Sequence, residues 1–181
     1  LLNPVKGVSR GSILLGQGYD PVSFYSGKPK QYAWSDGTYV AGADFPLPKG
    51  LGLYGFTFAE LGEAAPLLVG LDEKARVIVY SNNTLIWRSE DKYPAMGVSV
   101  TKPLTGIEAV LRSGTEDDKT RKVMINGRVF ALDLNNDGRD EIILPKNEGD
   151  IFLGGYEKAD LVGLAWSGSR FEQRRSIQNV P

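Results

Sequence analysis

The chain echoes itself over strand-length stretches, and this constrains its fold more than any other feature. Ala33-Trp34-Ser35-Asp36-Gly37-Thr38-Tyr39 matches Ala165-Trp166-Ser167-Gly168-Ser169-Arg170-Phe171, keeping Ala-Trp-Ser and an aromatic five residues after the tryptophan. Phe56-Thr57-Phe58-Ala59-Glu60-Leu61, then Pro66-Leu67-Leu68-Val69, matches Arg128-Val129-Phe130-Ala131-Leu132-Asp133-Leu134, then Asp140-Glu141-Ile142-Ile143-Leu144. Ile13-Leu14-Leu15-Gly16 looks like a further copy of the second strand of that pair, Leu67-Leu68-Val69 and Ile142-Ile143-Leu144. Such a unit is too small to bury its own apolar face, so neighbouring copies must stack. The spacing suits four-stranded propeller blades of about 40 to 50 residues with insertions.

Local patterning agrees. The 181 residues include 22 Gly and 10 Pro, and the short runs between them alternate in polarity or are rich in β-branched and aromatic side chains. That is the signature of an all-β chain. The clearest hairpin joins Arg76-Val77-Ile78-Val79-Tyr80 to Leu85-Ile86-Trp87 through the polar turn Ser81-Asn82-Asn83-Thr84. Further strands are expected at Ser12–Leu15, Gln31–Trp34, Gly55–Ala59, Leu67–Leu71, Arg128–Leu132, Glu141–Leu144, Leu161–Trp166 and Arg170–Gln173. One short helix is expected at Gly106–Arg112, where Ile107, Val110 and Leu111 share a face. The expected division is a partial blade over 1–50, a blade over 51–126 with an insertion at 91–122, and a blade over 127–181. A propeller closes with about four to eight blades. Three blade equivalents therefore predict an incomplete propeller with unsatisfied sheet edges, belonging to a longer protein or completed by another copy or chain. The start at Leu1-Leu2-Asn3-Pro4, without Met, reads as a processed or partial chain.

Composition narrows the chemistry. With no His, the usual general base and the commonest transition-metal ligand are missing. With no Cys, disulfides, zinc fingers, iron–sulfur clusters and thiol catalysis are excluded. The formal charge of −1 gives nucleic acid or an anionic membrane nothing to attract. Apolar runs such as Ala64–Leu71 fall far short of the roughly 20 residues a membrane helix needs.

One motif carries chemistry. Asp133-Leu134-Asn135-Asn136-Asp137-Gly138-Arg139-Asp140-Glu141 places oxygen-bearing side chains at loop positions 1, 3, 5 and 9, with Gly at 6. Ca²⁺ takes six to eight oxygens, and alternate residues of a tightly curled loop point inward. Gly138 permits the turn and the Arg139 carbonyl can supply a further ligand. An EF-hand would need its bidentate Glu where Leu144 stands, so the loop is of another kind.

A strand, this acidic loop and a second strand, spanning Phe130–Leu144, resemble the FG-GAP and VCBS-type repeat, and Tyr54–Leu61 looks like the start of another copy. The resemblance implies a β-propeller of the kind found in integrin α-chain heads and many bacterial extracytoplasmic proteins, with calcium held between the first two strands of a blade. It also implies roles in adhesion or protein interaction outside the cytoplasm. The metal residues carried over are Asp133, Asn135, Asp137, Arg139 and Glu141. In the other blade, Glu60-Leu61-Gly62-Glu63-Ala64-Ala65-Pro66 is shorter and lacks the second and third acidic positions, so no metal is expected there.

Other features have plainer readings. Gly50-Leu51-Gly52-Leu53-Tyr54-Gly55 fits the dinucleotide fingerprint, but Pro46 and Pro48 precede it and a strand pattern follows, so it lacks the strand-to-helix setting. Trp34, Trp87 and Trp166, with Tyr39 and Phe171, are expected to pack between sheets rather than to stack on sugars or bases. Arg170, Arg174 and Arg175 read as solvated surface. Glu60, Glu63, Asp72, Asp117 and Asp118 supply the carboxylates for an alternative function, a polysaccharide-acting hydrolase or lyase. Asn82-Asn83-Thr84 fits a glycosylation acceptor. A further alternative is a structural subunit of an extracytoplasmic assembly, docking through exposed apolar edges at Ile13–Leu15 or Leu161–Trp166. The leading expectation is a calcium-binding, non-enzymatic interaction module whose partner is a protein or glycan surface.

Overall fold

The structure, a computed structural model, describes residues 2–6, 11–20, 24–49, 51–94, 96–104, 120–148 and 158–177. These residues hold fourteen strands and no helix. The first sheet runs β1 (Leu2–Lys6), β2 (Ser12–Asp20), β3 (Phe24–Ser35), β4 (Thr38–Asp44), and the second runs β5 (Phe56–Ala59), β6 (Leu67–Leu71), β7 (Arg76–Ser81), β8 (Thr84–Lys92). A two-stranded ribbon, β9 (Met96–Pro103) and β10 (Thr120–Asn126), precedes the third sheet, β11 (Phe130–Leu132), β12 (Glu141–Glu148), β13 (Lys158–Trp166), β14 (Phe171–Ile177). Each four-stranded sheet is an antiparallel meander in chain order.

The middle position of the second sheet explains its sequence. All five residues of β6, Leu-Leu-Val-Gly-Leu, are buried, a continuous apolar run rather than an alternation, because both faces are covered. Leu67, Val69, Leu71, Val77 and Val79 join Ile142, Leu144, Val162 and Leu164 of the third sheet in one core. On the other face, Phe56 and Leu68 join Val5 and Leu15 of the first sheet, with Ile13, Tyr25 and Phe45 packed alongside. Each fully buried side chain of this size contributes roughly 1.5–3 kcal/mol by leaving water. Gly70 is required at the crowded start of the sheet, since a Cβ there would lie 2.8 Å from the Gly55 carbonyl and 2.7 Å from Leu51. A bulge near Arg76 leaves the Val77 N–H without a strand partner, and the Ser89 hydroxyl accepts it at 2.9 Å.

The three first strands meet. β5 lies against both β1 and β11, and the Asn3 side-chain amide donates to the Leu53 carbonyl at 2.7 Å across the junction of the first two sheets. Residues 2–44 hold four strands, where the sequence suggested a partial unit. The insertion at 91–122 holds β9 and the start of β10, and the expected helix at Gly106–Arg112 lies outside the described residues.

Two expectations about exposed apolar positions are corrected. Ile13–Leu15 and Leu161–Trp166 lie within β2 and β13, interior strands of their sheets, and Leu15, Val162 and Leu164 are buried. The open surfaces lie on the outer faces of the end sheets, where Trp34 is 64% and Tyr39 54% exposed rather than packed in a core.

Candidate functional site

The acid-rich loop joins β11 to β12. Asn136 (φ 58°) and Gly138 (φ 82°) occupy the left-handed region and curl the chain tightly. Inside the curl, Asp133 Oδ1 accepts the Asp137 N–H (3.1 Å) and its Oδ2 accepts the Gly138 N–H (2.9 Å). Asn135 Oδ1 also accepts the Asp137 N–H (2.9 Å), Asp137 Oδ1 accepts the Arg139 N–H (2.8 Å), and Glu141 Oε2 accepts the Leu134 N–H (2.9 Å). The Asn135 Nδ2 donates to Asp137 Oδ2 (3.0 Å) and Glu141 Oε1 (3.2 Å). The four side chains named from the sequence are thus drawn into one hydrogen-bonded ring. In this arrangement no three His, Cys, Asp or Glu side chains among the described residues close on a common point. The positive end of the Asn135 amide stands between two carboxylates instead.

Arg139 turns its side chain away from the ring. It covers Gly62 of the β5–β6 loop, where a Cβ would lie 2.8 Å from Arg139 Nε, and Gly62 itself has φ +85°. Asp140 makes the second link and was not singled out by sequence reading. Buried to 4% exposure, it accepts the Glu60 N–H at 2.7 Å through Oδ2 and donates its own N–H to the Glu60 carbonyl at 2.6 Å. No local signal marks it, because its partner is main chain 80 residues away. The shorter β5–β6 loop therefore serves as the seat on which the acidic loop rests.

The remaining carboxylates are dispersed. Asp72 is 8% exposed and accepts the Lys74 and Arg76 N–H groups at 2.8 and 3.0 Å. Its Oδ2 also pairs with the Arg76 guanidinium at 2.8 Å and lies 3.6 Å from Arg88 Nε. Burial pushes its carboxyl up, but hydrogen bonds from the Arg76 main and side chains and from Lys74, with the Arg76 charge, outweigh this and hold it below the usual range. Glu63 reaches Trp166 Nε1 at 3.5 Å, the outer limit of a hydrogen bond. Asp117 and Asp118 lie outside the described residues. Arg170 pairs with Glu172 at 3.3 Å on the surface. Asn82 and Asn83, with φ 45° and 67°, form the exposed β7–β8 turn.

The glycine fingerprint leads into a strand. The Gly55 N–H donates to the Gly52 carbonyl in a turn, Leu53 is fully buried, and β5 follows at once, so no helix N-terminus is presented to a phosphate. The tryptophan echoes occupy matching places: Trp34 opposes Tyr39 across β3–β4 at a ring separation of 4.9 Å, and Trp166 opposes Phe171 across β13–β14 at 5.0 Å. Trp87 packs edge-on against Trp166 and Phe171 at 6.0 and 5.6 Å. No family model, curated protein or solved structure matches the chain. No helix among the described residues is long and apolar enough to cross a membrane.

Proposed function

We propose that the chain is a calcium-binding, non-enzymatic β-propeller module that acts outside the cytoplasm in adhesion or protein interaction. The observation that supports this reading best is that β5 lies against both β1 and β11, each of the three opening a four-stranded meander, as the inner strands of neighbouring blades would. The acidic loop then lies between the first two strands of the third blade. Asp133, Asn135, Asp137 and Glu141, with the Arg139 carbonyl, hold the Ca²⁺, and water completes its six to eight oxygens. The donor chemistry fits a hard cation: three carboxylates and an amide oxygen, with no nitrogen or sulfur ligand. The ion's charge replaces the Asn135 amide as the counterweight to Asp137 and Glu141, so the loop stiffens against its seat at Glu60 and Gly62. Rigid blades then present their loops to a protein or glycan surface. Extracellular calcium suits such a site, since modules of this kind bind as weakly as about 10⁻⁴ to 10⁻³ M.

Calorimetric titration tests it. One Ca²⁺ per chain is expected, with Mg²⁺ binding more weakly because it dehydrates reluctantly. Asp137→Ala should abolish the heat, and an absence of binding at millimolar Ca²⁺ in the wild type would remove the metal from the account.

A further inference from the structure

Two Asp–Gly links lie in exposed turns, Asp36–Gly37 between β3 and β4 and Asp137–Gly138 in the acidic loop. An Asp side chain followed by Gly can close on the next peptide nitrogen to form a five-membered succinimide, because Gly carries no Cβ to block the approach. Closure needs two aids. The nitrogen attacks only as it gives up its proton, and the carboxyl carbon accepts it only where the charge growing on its oxygens is stabilised.

The acidic loop supplies both. Asp133 Oδ2 accepts the Gly138 N–H at 2.9 Å, within the reach of a general base. On the Asp137 carboxylate, Oδ1 accepts the Arg139 N–H at 2.8 Å and Oδ2 accepts from Asn135 Nδ2 at 3.0 Å, the distances at which donors stabilise an oxyanion. A Cβ on Gly138 would meet nothing within 4 Å, so the surroundings of the link are open. The hairpin link lacks this setting. Asp36 Oδ2 accepts the Ser35 hydroxyl at 3.0 Å, and among the described residues no carboxylate accepts the Gly37 N–H.

We infer that the Asp137–Gly138 link rearranges unaided to isoaspartate when the loop is free of calcium, and that bound calcium prevents it. The Gly138 proton passes to Asp133, the bond from Gly138 N to Asp137 Cγ forms, and one Asp137 side-chain oxygen leaves as water. That water carries away the proton held by Asp133 and one taken from solvent. A second water then opens the ring and returns a proton to solvent. Attack at the Asp137 main-chain carbonyl leaves the chain running through the side chain, as isoaspartate, whereas attack at Cγ restores Asp137. Isoaspartate adds a methylene to the main chain, so the product loses the spacing that draws Asp133, Asn135, Asp137 and Glu141 together. The protection rests on the calcium reading above: an ion held by Asp133 and Asp137 withdraws both the base and the carboxylate under attack.

Prolonged warm incubation of the full chain at neutral pH, followed by tryptic mapping, tests this. Electron-transfer fragmentation tells isoaspartate from aspartate at 137, in the peptide 129–139, and at 36, in the peptide 31–49. In chelator, isoaspartate is expected to form at 137 at least about tenfold faster than at 36, since a positioned base contributes roughly 10²–10⁴-fold. Asp133→Asn keeps an acceptor but no base and should bring the two rates together, as should urea, where both turns are lost. Equal rates at 136–138 and 35–37 in the folded wild type overturn the inference, and so does an undiminished rate in Asp133→Asn with native circular dichroism. Millimolar Ca²⁺ should suppress the reaction at 137 and leave 36 unchanged. Calorimetric binding of Ca²⁺ without that suppression overturns the protection. No calorimetric binding, with the excess at 137 still present, removes the metal and its protection and leaves the rearrangement standing.

Discussion

Two loops occupy the same place, between the first and second strands of successive sheets, and differ in almost everything else. The β11–β12 loop holds Asp133, Asn135, Asp137 and Glu141 in an exposed ring and leaves Leu134 50% exposed. The β5–β6 loop has no such ring and buries Leu61 to 2% exposure in the core shared by the second and third sheets. The acidic curl depends on its plainer neighbour, because Asp140 is bonded to both main-chain groups of Glu60 and Arg139 lies over Gly62. The contrast shows that a loop without an acidic ring can still seat the ring of the neighbouring sheet.

The largest expected effect tests the difference in burial. Leu61→Ala should cost about 2–5 kcal/mol in denaturant melts, as core truncations do, while Leu134→Ala should stay within about 0.5 kcal/mol. Equal costs would break the contrast. Next comes the clip: Asp140→Ala leaves the partly buried Glu60 N–H without its acceptor and should cost about 1–3 kcal/mol. Hydrogen exchange at that amide should quicken in the variant, and unchanged protection would show that the two loops are not coupled this way. Glu60→Ala keeps the main-chain bonds and should move stability by no more than about 0.5 kcal/mol.

A pH scan separates the sheets further. Because the Asp72 carboxyl sits below its ordinary value of 3.8 in the folded chain, its contribution is complete above that value and is lost as the pH falls through the lowered one. Denaturant melts stepped into acid should show this loss in the wild type, and Asp72→Asn should flatten that part of the profile. Tyr25 gives the opposite limb. Burial raises its hydroxyl to about 12, so the stability it contributes is complete below the ordinary value of 10.0 and is lost as the pH rises towards about 12. Tyr25→Phe should weaken that alkaline dependence.

Legibility in the sequence followed how local each cause was. β5, β6 and β7 announce themselves through β-branched and aromatic runs, because burial on both faces of the middle sheet leaves few polar positions. β1 escaped notice: Asn3 and Pro4 interrupt its pattern, and Pro4 is tolerated because β1 is an edge strand. β4 is exposed at every residue, and its apolar residues Tyr39-Val40-Ala41 run together without the alternation that marks a half-buried strand. The ring at Asp133–Glu141 could be read because its spacing is contained in nine consecutive residues, whereas Asp140 could not, since its partner is fixed only by packing between sheets. Trp34 shows the limit most clearly. Its motif is nearly that of Trp166, yet exposure depends on whether a neighbouring sheet stands over it, and no segment records that locally.

Calcium held by the acidic loop would stiffen the third sheet against the second. Thermal melts of the wild type in millimolar Ca²⁺ and in chelator decide whether it does. Binding to the folded state alone, at a hundredfold excess over Kd, stabilises by about 2.7 kcal/mol. A Tm raised by Ca²⁺ is expected, with the gain abolished in Asp133→Ala and retained in Glu60→Ala. Identical Tm values for the wild type with and without Ca²⁺ would reduce Asp133–Glu141 to an ordinary hydrogen-bonded turn.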